Sequence, residues 1–436
     1  MIRHFYREGK ERRRPLEYCC TFFFLSFLTL VVGLIFCDFL AVPKGIRNNL
    51  IGILAISFII SCFSLVFGLL RAEKVARLPV PAMGLKAKWY ADKIKKQLKP
   101  IYLVKLLSVK KSPYGYPIPS VAVYVDSDCK SGWVAIENSP LFSGFNSDGA
   151  IADLSGLLSL RPLRKFGFIS SELSQDENFY VFYFEDIKTS QRFEVNGSLT
   201  PFVSSNPHEL KLMKNLIWRV DGSSPHMAII GHTRSGKSFF CGHYLLPLMS
   251  LQGWQIEFYS VKNDLYVDRY HGEYEPTKII ERLEEWEKVM RERNRQIKQA
   301  GKEKYSEMSK MSDIALVIDE IGSLNGALSV DRKLKARWEA VIGKLTATGA
   351  SAGIHVIALS QYGTKESFLP TTARANVSDA CIFLGSAADT PSDRQYLLPG
   401  LEFPHRNYGV GQGIARIVSA GKRWETPHFF ETPHFN

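Results

Sequence analysis

The chain has 436 residues, enough for two or three domains, and 45% of them are hydrophobic and 12% aromatic, which excludes a disordered polymer and allows packed cores. Its net charge of +12 at pH 7 suits a polyanionic partner, either nucleic acid or an anionic membrane face, and does not choose between them. None of the cysteines (Cys19, Cys20, Cys37, Cys62, Cys129, Cys241 and Cys381) stands in a CxxC or Cys/His cluster with zinc spacing; they read as reduced, mostly buried thiols of a cytoplasm-facing protein.

Residues 1–18 form a polar, basic tail with Arg3, Arg7, Lys10 and the run Arg12, Arg13, Arg14. No small-residue cleavage site follows, and the next apolar run is too long for a signal peptide. Two runs within 19–70 are apolar, Cys20 to Phe36 (extended by Phe39 to Val42) and Leu50 to Leu70. Each can cross a hydrocarbon core, which takes roughly 20 helical residues. Asp38 lies near the end of the first. An acid at mid-bilayer costs about 2.5–3.5 kcal/mol, less toward the interface, so Asp38 reads as an interfacial residue or as a polar contact for a membrane partner. Cations crowd both outer flanks of the pair, so the positive-inside rule predicts a two-span hairpin with both termini cytoplasmic.

Residues 71–100 are basic. Leu85, Trp89, Tyr90, Ile94 and Leu98 recur at near-helical spacing. This predicts an amphipathic juxtamembrane helix, either on anionic lipid or as the solvated face of an ordinary helix. Residues 101–200 carry strand-like runs at Val121–Asp126, Trp133–Glu137, Phe179–Glu185 and Arg192–Val195, separated by turn residues, and predict a small β-rich or α+β domain.

From 201 to 420 apolar strands alternate with helices, the pattern of a mostly parallel α/β sheet. Strands are expected at 227–231, 254–261, 314–318, 354–360 and 379–384, and Pro276 to Ala300 is an amphipathic helix with Ile279, Leu283, Trp286 and Met290 on one face. Residues 421–436 repeat Glu-Thr-Pro-His-Phe and read as a docking or disordered tail. His428 and His434 carry no metal-ligand pattern.

The chemistry sits where strands end. Gly231, His232, Thr233, Arg234, Ser235, Gly236, Lys237 and Ser238 fit G-x-x-x-x-G-K-[ST], a phosphate-cradling P-loop. Glycine lets the backbone approach the phosphates, Lys237 can reach the β and γ oxygens of ATP, and the Ser238 hydroxyl can ligate Mg²⁺. Asp319 and Glu320 end another apolar strand, where Asp319 can support the metal and Glu320 can polarise an attacking water. Gln361 ends a third, where its amide can sense the γ-phosphate. Ligands of open α/β sheets bind beyond such carboxyl ends.

These residues resemble the FtsK/SpoIIIE-type DNA translocases of the HerA–FtsK superfamily. The likeness runs from Ser224-Pro-His-Met-Ala-Ile-Ile-Gly-His-Thr-Arg-Ser-Gly-Lys-Ser238 through Val261-Lys262, Val317-Ile-Asp-Glu320, Thr348 to Gln361 with its Ala352-Gly-Ile-His355 element, Arg374-Ala-Asn376 and Ser392 to Leu397. It implies a RecA-like ATPase that works as a homohexamer threading DNA through its pore. A trans-acting arginine would complete each site, with Arg374 and Arg394 as candidates. Lys333, Lys335, Arg337 and Lys344 stand where pore contacts are expected, or on a solvated helix face. The two spans, the lack of a long linker and the short segment after 420 make the layout most similar to TcpA-like coupling proteins of Gram-positive conjugative elements. These imply a place in the bacterial cell membrane and partners in a relaxase, secretion-channel proteins and membrane lipid. A chromosome-segregation translocase, a secretion ATPase moving protein and a recruiting scaffold are the alternatives.

Overall fold

The computed structural model describes residues 3–7, 10–12, 16–40, 43–71, 75, 77–113, 115–142, 154, 156–158, 161–400 and 406–436. Arg13, Arg14 and Lys74 of the predicted basic flanks, and Ala41 and Val42 of the first apolar run, lie outside the described residues. The chain divides into two compact units, Met1–Phe166 with Ser171–Phe184, and Gly167–Ser170 with Glu185–Asn436.

In the first unit, β1 (Phe5–Arg7) pairs with β2 (Lys10–Arg12). Two long helices follow, α1 (Leu16–Phe39) and α2 (Lys44–Arg71). Their segments Cys19–Phe39 and Lys44–Leu70 have mean hydropathies of 2.5 and 2.7 and are long and apolar enough to cross a membrane. They touch closely: a Cβ on Gly33 would lie 2.5 Å from Leu54 Cδ1, and the Ser26 hydroxyl donates to Ser61 Oγ at 3.0 Å. Small residues and interhelical hydroxyl bonds are how helices associate in lipid. Asp38 pairs with Arg47 across the hairpin turn at 2.9 Å, so its polar contact lies within the chain.

Beyond the hairpin, α3 (Leu85–Gln97) packs on β4 (Val121–Val125) through Ala87, Ala91, Ile94 and Leu98. The predicted apolar face therefore splits: Ile94 and Leu98 turn inward, while Leu85 and Trp89 stay exposed among lysines. Next come α4 (Pro100–Leu106) and β3 (Tyr116–Pro117). A four-stranded sheet then takes the order β4, β5 (Ser131–Glu137), β7 (Phe179–Asp186), β6 (Phe166–Leu173). The N-terminal segment is tied down rather than loose. Phe5 pairs with Pro117, and buried Arg3 meets buried Glu137 at 2.7 Å. The N-terminal strand is thereby held against β3 and β5.

The second unit is built on a seven-stranded sheet. Its strands are β11 (Met227–Gly231), β12 (Gln255–Ser260), β13 (Ile314–Asp319), β14 (Ile354–Ser360), β15 (Ala380–Leu384), β16 (Gln412–Ile417) and β17 (His428–Glu431). The spatial order is β12, β13, β14, β11, β15, β16, β17. The first five are parallel, and β16 and β17 run antiparallel. Both faces are covered, which is why the central strands are apolar at successive positions. On β13, Ile314, Leu316 and Ile318 join one core, with Ile279, Leu283, Trp286 and Met290; Ala315 and Val317 join the other, with Trp218, Phe240 and Tyr244. The first core holds the predicted helix, α7 (Pro276–Gln299).

Around the sheet lie β8 (Glu194–Val195), the hairpin β9 (Glu209–Met213) with β10 (Leu216–Arg219), and α5 (residues 237–251, π-helical over Phe240–Leu245). The remaining helices are α6 (Leu265–Arg269), α8 (Ile321–Leu328), α9 (Arg332–Thr348), α10 (Thr371–Val377) and α11 (Pro391–Gln395). Residues 421–436, expected as a tail, contribute β17 to the main sheet and β18 (His434–Phe435), which pairs with β8.

Candidate functional site

The sheet order decides the site. β14 lies between the P-loop strand β11 and β13, so the ends of three neighbouring parallel strands deliver the loop, Gln361 and Asp319–Glu320 to one edge. The loop leaves β11 at Gly231, where a Cβ would sit 2.4 Å from Ser235 Oγ. Gly236 has φ +94°, a left-handed turn that favours glycine, and Lys237 then opens α5. Thr233, Arg234 and Ser238 are exposed, whereas Ser235 and Lys237 are buried. Ser235 Oγ is buried with no hydrogen-bond partner.

Two carboxylates stand opposite the loop. Lys237 Nζ donates to Asp319 Oδ1 at 2.7 Å, and Asp319 also accepts the backbone N–H of Glu320 at 2.8 Å. Glu320 adopts the left-handed region at φ 52°, uncommon for a residue with a side chain and typical of functional turns. Its carboxylate is buried and doubly held. Lys262, two residues past β12, forms a short ion pair with Oε1, and Gln361 Nε2 lies 3.2 and 3.1 Å from its two oxygens. Burial alone would raise the Glu320 pKa, but the bonds from Lys262 and Gln361 and the charge of Lys237 outweigh it and hold the group below the usual glutamate value.

The loop is pinned from behind. His232 Nδ1 lies 2.8 Å from Ser386 Oγ, and its Nε2 lies 2.8 Å from Asp393 Oδ2. Asp393 is buried and also accepts the Gly363 N–H at 2.9 Å. The Gly411 N–H donates to the Ser235 carbonyl at 2.9 Å, and a Cβ on Gly236 would come within 3.2 Å of Gly411 N. The chain between β15 and β16 therefore closes one side of the cradle.

Chemically, the arrangement fits a triphosphate with a divalent cation. A glycine-lined loop at a helix N-terminus, a lysine, an exposed serine hydroxyl and an acid pair converge, and a hydroxyl in the loop awaits a partner. Ser238 and Asp319 are the residues that could hold Mg²⁺ together with phosphate oxygens. Among the described residues, no group of three or more His, Cys, Asp or Glu could hold a metal unaided.

The predicted arginines differ in setting. Arg374 is half-buried: it stacks over Tyr396 at 4.8 Å and donates to the Tyr396 carbonyl at 2.5 Å. Arg394 is buried, its pKa lowered by that burial, and it donates to the Ala388 carbonyl. On α9, Arg337 makes a bidentate pair with Glu284 and Lys344 meets Glu287 at 3.0 Å, whereas Lys333 and Lys335 are exposed. Lys335 lines a cavity of about 660 Å³ between α8, α9 and the segment after Gln361, and no P-loop residue lines it. His355 lies at the opposite end of β14 from Gln361, bound to buried Asp313 at 3.0 Å and to the Pro225 carbonyl at 2.8 Å, and is a structural residue. Sequence reasoning missed Lys262 and Asp393 as site residues. Lys262 carried a usable signal, because it follows a strand of the same sheet as the other three ends.

No protein family and no curated protein matches the chain. Among solved structures, the monomer form of the pCW3 conjugation coupling protein TcpA with ATPγS aligns at a TM-score of 0.50 and 16% identity, over 79% of this chain and 96% of that one. This chain has the fold of that coupling protein. Two further similarities are weaker: ATPases 2 and 3 of Thermomonospora curvata EccC with a signal sequence peptide (TM-score 0.36, 16% identity, 50% of this chain and 39% of that one), and the genome packaging NTPase B204 of Sulfolobus turreted icosahedral virus 2 with AMPPCP (TM-score 0.30, 12% identity, 48% and 98%).

Proposed function

We propose that the protein is a membrane-anchored ATPase that moves DNA, acting as a coupling protein that hands relaxase-bound DNA to a secretion channel. The observation that carries the reading is the convergence of Lys237, Asp319, Glu320 and Gln361 at one sheet edge, in a chain that begins with a membrane-compatible hairpin. Lys237 binds the β and γ phosphates. Ser238 and Asp319 would hold Mg²⁺, which would supply neutralisation of phosphate charge. Glu320 takes a proton from the attacking water, and Gln361 registers the γ-phosphate. Arg374 is the better placed of the two arginines to serve a neighbouring subunit, because burial confines Arg394 to its own fold. The motor works as a homohexamer with both termini in the cytoplasm, and the +12 charge favours a nucleic-acid cargo.

The test uses the full chain in lipid nanodiscs. ATP hydrolysis should rise when DNA is added, and the rise should weaken steeply with salt. Glu320→Gln should keep ATP binding and lose turnover. Normal turnover in that variant, or no response to DNA at any salt concentration, would sink the proposal.

A further inference from the structure

The contact between Lys262 and Glu320 is a built feature. In the β12–β13 register Ser260 sits beside Asp319, which brings the residues just beyond each strand face to face. The turn carrying Lys262 is fixed at several points. The Asn263 N–H donates to the Ser260 carbonyl at 3.2 Å, Asn263 takes φ 49°, and the Asp264 side chain caps α6 through the Tyr266 N–H at 3.0 Å. The partners differ in exposure: the Lys262 side chain is 55% exposed and that of Glu320 only 7%. The carboxylate is thus locked inside, and the ammonium is the member that solvent-borne anions can reach.

A general base must present a free oxygen to the water it activates. Here Oε1 is taken by Lys262 and both oxygens lie within reach of the Gln361 amide. Resting on the ATPase reading above, we infer that Lys262 is a positioning residue which holds Glu320 in an unproductive pose and surrenders it when a nucleic-acid phosphate takes the lysine ammonium. Phosphate is a natural competitor for a half-exposed lysine, which binds phosphates as a point charge. The exchange leaves Glu320 with Gln361 alone and frees Oε1 for the attacking water at the moment cargo is engaged. A basic tether on the acid thereby limits idle hydrolysis.

The experiment compares wild type, Lys262→Met, Lys262→Arg and Glu320→Gln as full chains in nanodiscs, each with and without DNA. Loss of the tether should raise the DNA-free rate of Lys262→Met by up to about tenfold, the gain available if the released state is roughly a tenth of the wild-type population. Its stimulation by DNA should fall toward onefold. Lys262→Arg, which keeps the charge, should retain a low basal rate and the response to DNA. Binding of a fluorescent ATP analogue reports that the site has stayed intact. An unchanged or lower basal rate in Lys262→Met with binding intact, or undiminished DNA stimulation, would overturn the inference while leaving the ATPase reading standing. Normal hydrolysis by Glu320→Gln would instead remove Glu320 as the base and the tether with it, whereas no hydrolysis by wild type with or without DNA would remove the ATPase reading itself.

Discussion

Lys237 Nζ and Asp319 Oδ1 are 2.7 Å apart, and both side chains are at least nine-tenths buried. The two opposite charges neutralise each other inside the fold. Removing one partner of a buried pair costs about 3–5 kcal/mol because the other is left uncompensated. Lys237→Ala should therefore lower the thermal midpoint of the ATPase unit by several degrees, and adding Asp319→Asn should recover part of the loss. Scanning calorimetry checks both. Wild type should also gain about 2.7 kcal/mol from Mg·ATP at a hundred times its dissociation constant, and Lys237→Ala should gain nothing.

His232 should set the geometry of the loop without touching the chemistry. It bridges Ser386 and Asp393 at 2.8 Å each, and Asp393 is buried. Hydrogen bonds to a charged group contribute about 1.5–3 kcal/mol, and each 1.4 kcal/mol is a factor of ten. We expect His232→Ala to raise the KM for ATP about tenfold or more, with a smaller change in kcat. His232→Gln, which keeps a hydrogen-bonding end, should recover part of the affinity. Steady-state kinetics separates the two parameters.

The site was legible in the sequence where chemistry and secondary structure coincide. The P-loop glycines, Asp319–Glu320 and Gln361 each follow an apolar run, and a parallel sheet sends all such ends to one edge. The order of strands was not legible: nothing local says that β14 slots between β11 and β13, yet that order brings Gln361 to Glu320. Lys262 went unassigned because a lone lysine after a strand has no spacing signature; its place past a strand of the same sheet was the one usable signal, and its reach across to Glu320 gives it a role. His428 to Glu431 is too short for an alternating pattern to show, and the strand exists because β16 offers an open edge. Asp38 could have faced a membrane partner, and only the fold brings Arg47 back to it.

His355, part of the most distinctive motif, should matter for stability and not for nucleotide. Its Nε2 lies 3.0 Å from Asp313 Oδ1, and His208 Nδ1 lies 2.9 Å from Oδ2. Burial would raise the Asp313 pKa, but His355, Tyr305 and His208 hold it below the usual aspartate value. His355→Ala breaks this buried network and opens a gap beside Trp254. It should cost about 3 kcal/mol or more in denaturant unfolding, while the KM for ATP stays near wild type in the fraction that folds.

Glu185 makes the end of the chain part of the second unit. It is buried, with His428 Nδ1 at 2.9 Å, Arg423 at 3.2 Å and the Phe429 N–H also on its carboxylate. Burial pushes its pKa up; the His428 and Arg423 side chains and the Phe429 N–H outweigh that and leave it below the ordinary glutamate value. A carboxyl whose folded pKa is depressed stabilises the fold above its unfolded pKa, near 4.3, and loses that contribution as pH falls through the lower folded value. Stability should therefore decline below about pH 4 more steeply in wild type than in Glu185→Gln, which has no such proton to take up. At pH 7 wild type should be the more stable of the two, because the glutamine leaves Arg423 without its anion. Deleting residues 428–436 should do worse than either, since it strips β17 from β16 and removes the fully buried Phe430, uncovering Phe240 against which it packs. The deleted chain should aggregate or melt many degrees lower, whereas a loosely attached tail would leave the melting curve unchanged.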